Sequence, residues 1–173
     1  ANFELAARSE IVALAVELRP HQATLVPERR QEVTTEGGLD LGHRDPALVT
    51  AIEQLTDAGI RVSLFIDPDR ATIEAASALG VPAIELHTGR YSHSWNRDPA
   101  ALDQLRDAAA HAATRGLAVH AGHGLTLGNV APVARIPEIE ELNIGHAIVA
   151  RAISIGIGAA TREMRSAIDE ARR

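Results

Sequence analysis

Apolar positions in this chain follow two alternating rhythms. Short runs of Val, Ile, Leu and Ala give way to longer stretches whose apolar residues return every three or four positions. Residues 1–6 read as a strand ending near Glu4. Ser9 is placed to cap a helix over Glu10–Leu18, where Ile11, Leu14, Ala15 and Leu18 share a face and Pro20 ends it. Gln22–Val26 reads as a strand, and Arg29–Asp40 as a polar loop. Pro46 opens a helix to about Ala58, closed by Gly59. The unit then repeats: strand Arg61–Ile66, Asp67-Pro68 as cap and start, helix Ala71–Leu79, stop at Gly80. Ala83–His87 is the next strand, followed by a loop carrying Tyr91 and Trp95. Asp98-Pro99 starts a long Ala-rich helix to Arg115. Leu117–Ala121 is a strand, Asn129–Ala134 a short helix and Glu141–Ile144 a strand. Helices over Ala147–Ile155 and Ala159–Ala171 complete the chain.

Six strand–helix units in succession imply a parallel sheet with right-handed crossovers. An open doubly wound sheet and a (β/α)8 barrel both satisfy that pattern. No G-x-G-x-x-G string follows a strand, which removes support for a dinucleotide fold. Polar residues stand at the carboxyl ends of the strands: Glu4, Glu28, Asp67, His87, His123 and His146. A TIM barrel builds its active site from that end of every strand, so the expected fold is α/β, a (β/α)8 barrel. Residues 1–173 are expected to form a single, incomplete barrel domain, because six units are too few for eight.

Composition narrows the chemistry. The net charge is −6 and all 17 basic residues are Arg, with no basic run, so a nucleic-acid partner is not expected. Without Cys there is no disulfide, thiolate nucleophile or thiolate metal site. No stretch reaches the ~20 apolar residues that span a bilayer. No secretory leader is evident, and a cytoplasmic location is expected.

The most suggestive stretch is Val119-His120-Ala121-Gly122-His123-Gly124-Leu125-Thr126, where glycines bracket a histidine at a strand end. Leu142-Asn143-Ile144-Gly145-His146-Ala147 repeats the device. Imidazole titrates near neutrality, which makes His123 and His146 candidate acid–base groups. Bare amides at Gly122, Gly124 and Gly145, with helices following, suit phosphate. Glu4, between Phe3 and Leu5, is a candidate general base. Thr34 and Thr35 offer hydroxyls beside Gly37-Gly38. His120 falls opposite Ala121, inside the barrel or at its rim, and His87 is equally ambiguous. His21, His43, His93 and His111 read as surface residues. No His pair at i, i+4 and no His-Glu-x-x-His run points to a metal.

Longer strings then coincide with one family. Leu25-Val26-Pro27-Glu28, Glu32-Val33-Thr34-Thr35-Glu36-Gly37-Gly38-Leu39-Asp40, Val62-Ser63-Leu64-Phe65-Ile66-Asp67 and Ile84-Glu85-Leu86-His87-Thr88-Gly89 are four of them. Ala121-Gly122-His123-Gly124-Leu125-Thr126 and Glu140-Glu141-Leu142-Asn143-Ile144-Gly145-His146-Ala147-Ile148 are two more. Together they resemble pyridoxine 5′-phosphate synthases, in the family's order from Asn2 onward. The resemblance implies a (β/α)8 barrel of vitamin B6 biosynthesis that needs no cofactor or metal and assembles as a homo-octamer. Its substrates would be two small phosphorylated molecules, 1-deoxy-D-xylulose 5-phosphate and 3-amino-2-oxopropyl phosphate. It would condense them to pyridoxine 5′-phosphate, phosphate and water. Carried over by position, the resemblance makes Glu4 a general base and His123 a proton donor. It gives Thr34 to the deoxyxylulose phosphate, and Gly124, Gly145 and His146 to the aminooxopropyl phosphate.

Two family motifs from the first two strands, Asn-x-Asp-His and His-x-Arg-Glu-Asp-Arg-Arg-His, are absent from this sequence, and the resemblance starts at the third strand. Residues 1–173 alone are therefore expected to be inactive. Leu127-Gly128 stands where the family often has Tyr-His. A non-catalytic barrel homologue acting in assembly, or another phosphosugar barrel enzyme of the epimerase type, are the alternatives. A Schiff-base aldolase is excluded for these residues, which include no Lys.

Overall fold

The computed structural model describes residues 1–28, 37–43 and 45–173. Six strands are present among them: β1 (Asn2–Leu5), β2 (Gln22–Leu25), β3 (Arg61–Ile66), β4 (Ala83–His87), β5 (Ala118–Gly122) and β6 (Ile139–Asn143). They form one parallel sheet in the order β1-β2-β3-β4-β5-β6. A doubly wound sheet reverses direction at a switch point, whereas here every crossover advances the same way. Right-handed connections then lay all the helices on one face. The arrangement is part of a barrel wall with helices outside. Among the described residues β1 and β6 each keep one unpaired edge. No described helix is long and apolar enough to cross a membrane.

The helices are α1 (Ser9–Leu18), α2 (Pro46–Asp57), α3 (Arg70–Ala78), α4 (Gly89–Ser94), α5 (Pro99–Thr114), α6 (Val130–Ala134), α7 (His146–Ile155) and α8 (Ile157–Ala171). The apolar stripes of α1, α2, α3, α5 and α6 meet the outer face of the sheet, while α7 packs on α8 and buries none of its residues. Leu48, Ile52 and Leu55 of α2, Ile73 of α3 and Leu105 of α5 join Leu25, Leu64, Ile66, Ile84 and Leu86 in one buried cluster.

Local sequence chemistry explains most of the boundaries. Two Asp-Pro pairs start helices as the sequence suggests. Asp45 accepts from Ala47 N at 2.9 Å and Asp98 accepts from Ala100 N at 3.1 Å, each with Pro in the first turn. The third pair does not. Asp69, not Asp67, caps α3, accepting from Thr72 N at 3.0 Å. Ser9 is no cap either: α1 begins at Ser9 itself, behind Arg8, with no side-chain cap bond. The stretch with Tyr91 and Trp95, expected as a loop, contains the short helix α4. Tertiary contacts hold it, since Tyr91 is buried and its hydroxyl donates to Asn129 O at 2.7 Å. The last strand begins at Ile139, earlier than the pattern suggests: Ile139 pairs with Val119 ahead of a bulge that shifts the β5–β6 register before His120.

Candidate active site

The register shows what the inner face of the wall carries. Thr24 lies beside Ser63, while Phe65, Glu85, His120 and Glu141 follow one another across four strands. The next row toward the carboxyl ends holds His87, Gly122 and Asn143. Strand side chains alternate between faces, so these residues all point away from the helices. Gln22, Thr24, Ser63, Glu85, His87 and His120 are buried, and every buried polar side chain in a strand lies on this face.

Glu85 is the central group, and the sequence reading missed it. It is 3% exposed, and its Oε2 accepts from Asn143 Nδ2 at 2.7 Å. Burial raises its pKa to about 7; the Asn143 amide opposes the rise, while the Glu4 and Glu141 carboxylates add to it. A Cβ at position 122 would overlap Glu85 Oε1, so the carboxylate occupies space that only glycine leaves open. The signal was present: Glu85 is the lone carboxylate in Ala83–His87, on the opposite face from Ile84 and Leu86.

Glu4 lies on the same inner face and is exposed, near enough for its charge to act on Glu85. Glu4, the candidate general base, is thus solvent-exposed, while the buried carboxylate of this face is Glu85. His120 is buried inside the wall, with Gln22 Nε2 donating toward its Nδ1 at 3.5 Å. Burial lowers its pKa and favours the neutral ring.

His123 follows β5 and is half-buried. Its φ is +84°, a left-handed conformation unusual for a residue with a side chain. Its carbonyl accepts from Thr88 Oγ1 and, at 3.2 Å, from Ser92 Oγ, which hold that peptide in place. The single Thr88 hydroxyl hydrogen is shared with Gly122 O, 2.7 Å from Oγ1. Gly124 continues the turn at φ +75°, and a Cβ there would meet Ser92. Asn129 closes it, its Oδ1 accepting from Thr126 N at 2.7 Å and its Nδ2 donating to Gly124 O at 3.3 Å. The His123 ring meets the His87 ring edge-on, centroids 5.0 Å apart.

Gly145 precedes α7 with open space around it, and His146 is the exposed first residue of that helix. No side chain caps α7, which leaves its first amides without a capping acceptor. Thr34 and Thr35 lie outside the described residues. Glu4, His123, Gly124, Gly145 and His146 therefore all sit at or toward the carboxyl ends of parallel strands, on one rim. His21, His43 and His93 are exposed as expected; His111 is not a simple surface residue, its Nε2 lying 2.7 Å from Glu74 Oε1 between α3 and α5. Among the described residues no three His, Asp or Glu side chains gather as metal ligands.

A family model described as pyridoxal phosphate biosynthesis protein PdxJ matches residues 1–170. This chain belongs to the PdxJ family. Relatives named pyridoxine 5′-phosphate synthase include one from Gluconobacter oxydans, 52% identical over 97% of this chain and 71% of its own length. Another, from Magnetococcus marinus, is 49% identical over 98% of this chain and 71% of its own length. Two solved structures share the fold alone. The Amycolatopsis orientalis BexX/CysO complex matches at TM-score 0.59 and 21% identity, covering 92% of this chain and 59% of that one. The citrate synthase SbnG matches at TM-score 0.56 and 12% identity, covering 98% and 72%. Membership of the PdxJ family makes this an enzyme chain of vitamin B6 biosynthesis.

Proposed function

We propose that this chain supplies the catalytic rim of a pyridoxine 5′-phosphate synthase, joining 1-deoxy-D-xylulose 5-phosphate to 3-amino-2-oxopropyl phosphate with release of phosphate and water. The observation that carries the reading is Glu85, a buried carboxylate whose pKa near 7 leaves both protonation states populated at neutral pH. Ring closure between two carbonyl substrates needs repeated proton transfers, and a group poised near the working pH performs them best. In this reading Glu4 is the general base and His123 the proton donor. The uncapped start of α7 at Gly145 and His146, with Gly124 beside it, takes the phosphate of the aminooxopropyl substrate. Thr34 contacts the other substrate. A non-catalytic assembly homologue would have no use for a carboxylate held in burial against its desolvation cost.

The unpaired edges of β1 and β6 support closure of the wall by two further βα units into an eight-stranded barrel. Exposed apolar residues flank both edges: Leu14 and Leu18 on α1, and Val149 and Ile153 on α7. With those edges open, residues 1–173 alone are expected to be inactive; assembly of the intact protein into a homo-octamer belongs to the same proposal. The test is to supply the full-length protein with both phosphorylated substrates at neutral pH and follow pyridoxine 5′-phosphate and phosphate together. Equal release of the two supports the reading. A folded full-length protein that forms neither product rejects it.

A further inference from the structure

The turn after β4 holds His123 through its backbone, by way of Thr88 and Ser92. A second set of contacts reaches its ring. His87, the last residue of β4, is 9% exposed and packs between the rings of Phe65 and His123, at centroid distances of 5.1 and 5.0 Å. Its Nδ1 lies 3.0 Å from Asp67 Oδ1. An ionised carboxylate only accepts, so in this contact Nδ1 carries the hydrogen, and the bond is the first cause of the lowered Asp67 pKa. The other nitrogen, Nε2, is sealed from solvent and has no partner among the described residues; a Cβ at Gly89 would lie 2.5 Å from it. A nitrogen closed off in this way exchanges no proton with a substrate. Asp67 Oδ1 also accepts from Gly38 N at 3.1 Å, four residues after Thr34 in the chain.

We propose that Asp67 and His87 are positioning residues. Asp67 fixes the His87 ring through Nδ1–H, and that ring sets the orientation of the His123 imidazole. The same carboxylate oxygen seats the Gly37-Gly38 segment, so the loop and the imidazole share one anchor. The proposal rests on His123 as the proton donor of the reaction above. It also explains why Asp67 caps no helix: its carboxylate is already engaged by Gly38 and His87.

Two substitutions separate the roles of the His87 side chain. His87→Asn keeps a donor near the Nδ1 position and removes the ring, while His87→Phe keeps a ring and removes the donor. In the full-length enzyme, His87→Asn is expected to lower kcat roughly 10- to 100-fold with both KM values within about twofold, the signature of misplaced chemistry rather than lost binding. His87→Phe is expected to fall between that variant and wild type. Asp67→Ala is expected to lower kcat and to raise KM for the deoxyxylulose substrate. Asp67→Asn, which keeps an acceptor oxygen, is expected to recover most of both.

A readout independent of turnover is the imidazole proton resonance of His123, assigned by its loss in His123→Gln. It should shift in His87→Asn and in Asp67→Ala and return toward wild type in Asp67→Asn. An unmoved resonance with kcat unchanged in folded His87→Asn and Asp67→Ala overturns the proposal. If His87→Asn does not fold, Asp67→Ala decides on the same two readouts, since the Asp67 side chain is 52% exposed. If wild type makes no pyridoxine 5′-phosphate, the resonance still decides whether Asp67 and His87 orient His123.

Discussion

The helix-covered face of the sheet carries Leu25, Leu64, Ile66, Ile84 and Leu86; the opposite face of the same strands carries Thr24, Ser63, Glu85, His87 and His120. Both sets are buried, so burial does not tell them apart. They differ in what burial does for free energy. Removing apolar side chains from water stabilises the fold, at about 25 cal/mol per Å². Enclosing a carboxylate or imidazole costs free energy unless it is paired, and the cost appears as a shifted pKa. Barrel interiors are generally filled with Val, Ile and Leu, so a polar inner face marks where stability has yielded to chemistry.

The largest expected effect falls on the polar face. Glu85→Gln in the full-length enzyme should reduce kcat by about 100-fold or more, the contribution of a placed acid–base group, with the thermal midpoint held or raised. If turnover survives, the inner face is structural and the contrast between the faces fails. On the covered face, Leu64→Ala should cost about 2–5 kcal/mol in denaturant unfolding while leaving kcat per folded molecule unchanged. Loss of turnover in proportion to catalytic substitutions would show that the faces are not separable.

A smaller effect follows from pH. Glu85 titrates near 4.5 when unfolded and near 7 when folded, so the native state holds the extra proton between those values. Stability from this group is therefore fully present below about pH 4.5 and is lost as pH rises through about 7, on the order of 3 kcal/mol in all. Unfolding free energies measured across that range should fall with a slope that Glu85→Gln flattens. An identical slope in the variant would place the proton elsewhere. The smallest effect is expected at the rim: Ser92→Ala removes one of two hydroxyl donors to His123 O and should cost about 0.5–1.5 kcal/mol, because Thr88 still holds that carbonyl.

Much of this organisation is legible along the chain. Short apolar runs mark the six strands, and period-3.6 runs with Gly and Pro stops mark the long helices, because run length and periodicity separate the two. The Gly-His tips marked the rim. What escaped was set by tertiary contacts. The short helix α4 has too few turns for periodicity to show and depends on Tyr91 reaching Asn129. Asp67-Pro68 looks like a helix start, yet the carboxylate serves Gly38 and His87, partners distant in sequence. Glu85 was hidden in an apolar run because alternation tells which side a residue faces, not what waits there. Its companion Asn143 lies 58 positions away.

The one-directional strand order has a consequence for how the molecule is made. Each strand pairs with the one synthesised just before it, and no described pairing waits for a strand far downstream. The wall can grow in the order in which the ribosome delivers it, each βα unit adding to an edge already in place. The polar rim is then finished late, when β5 and β6 bring Gly122 and Asn143 to a Glu85 already laid down.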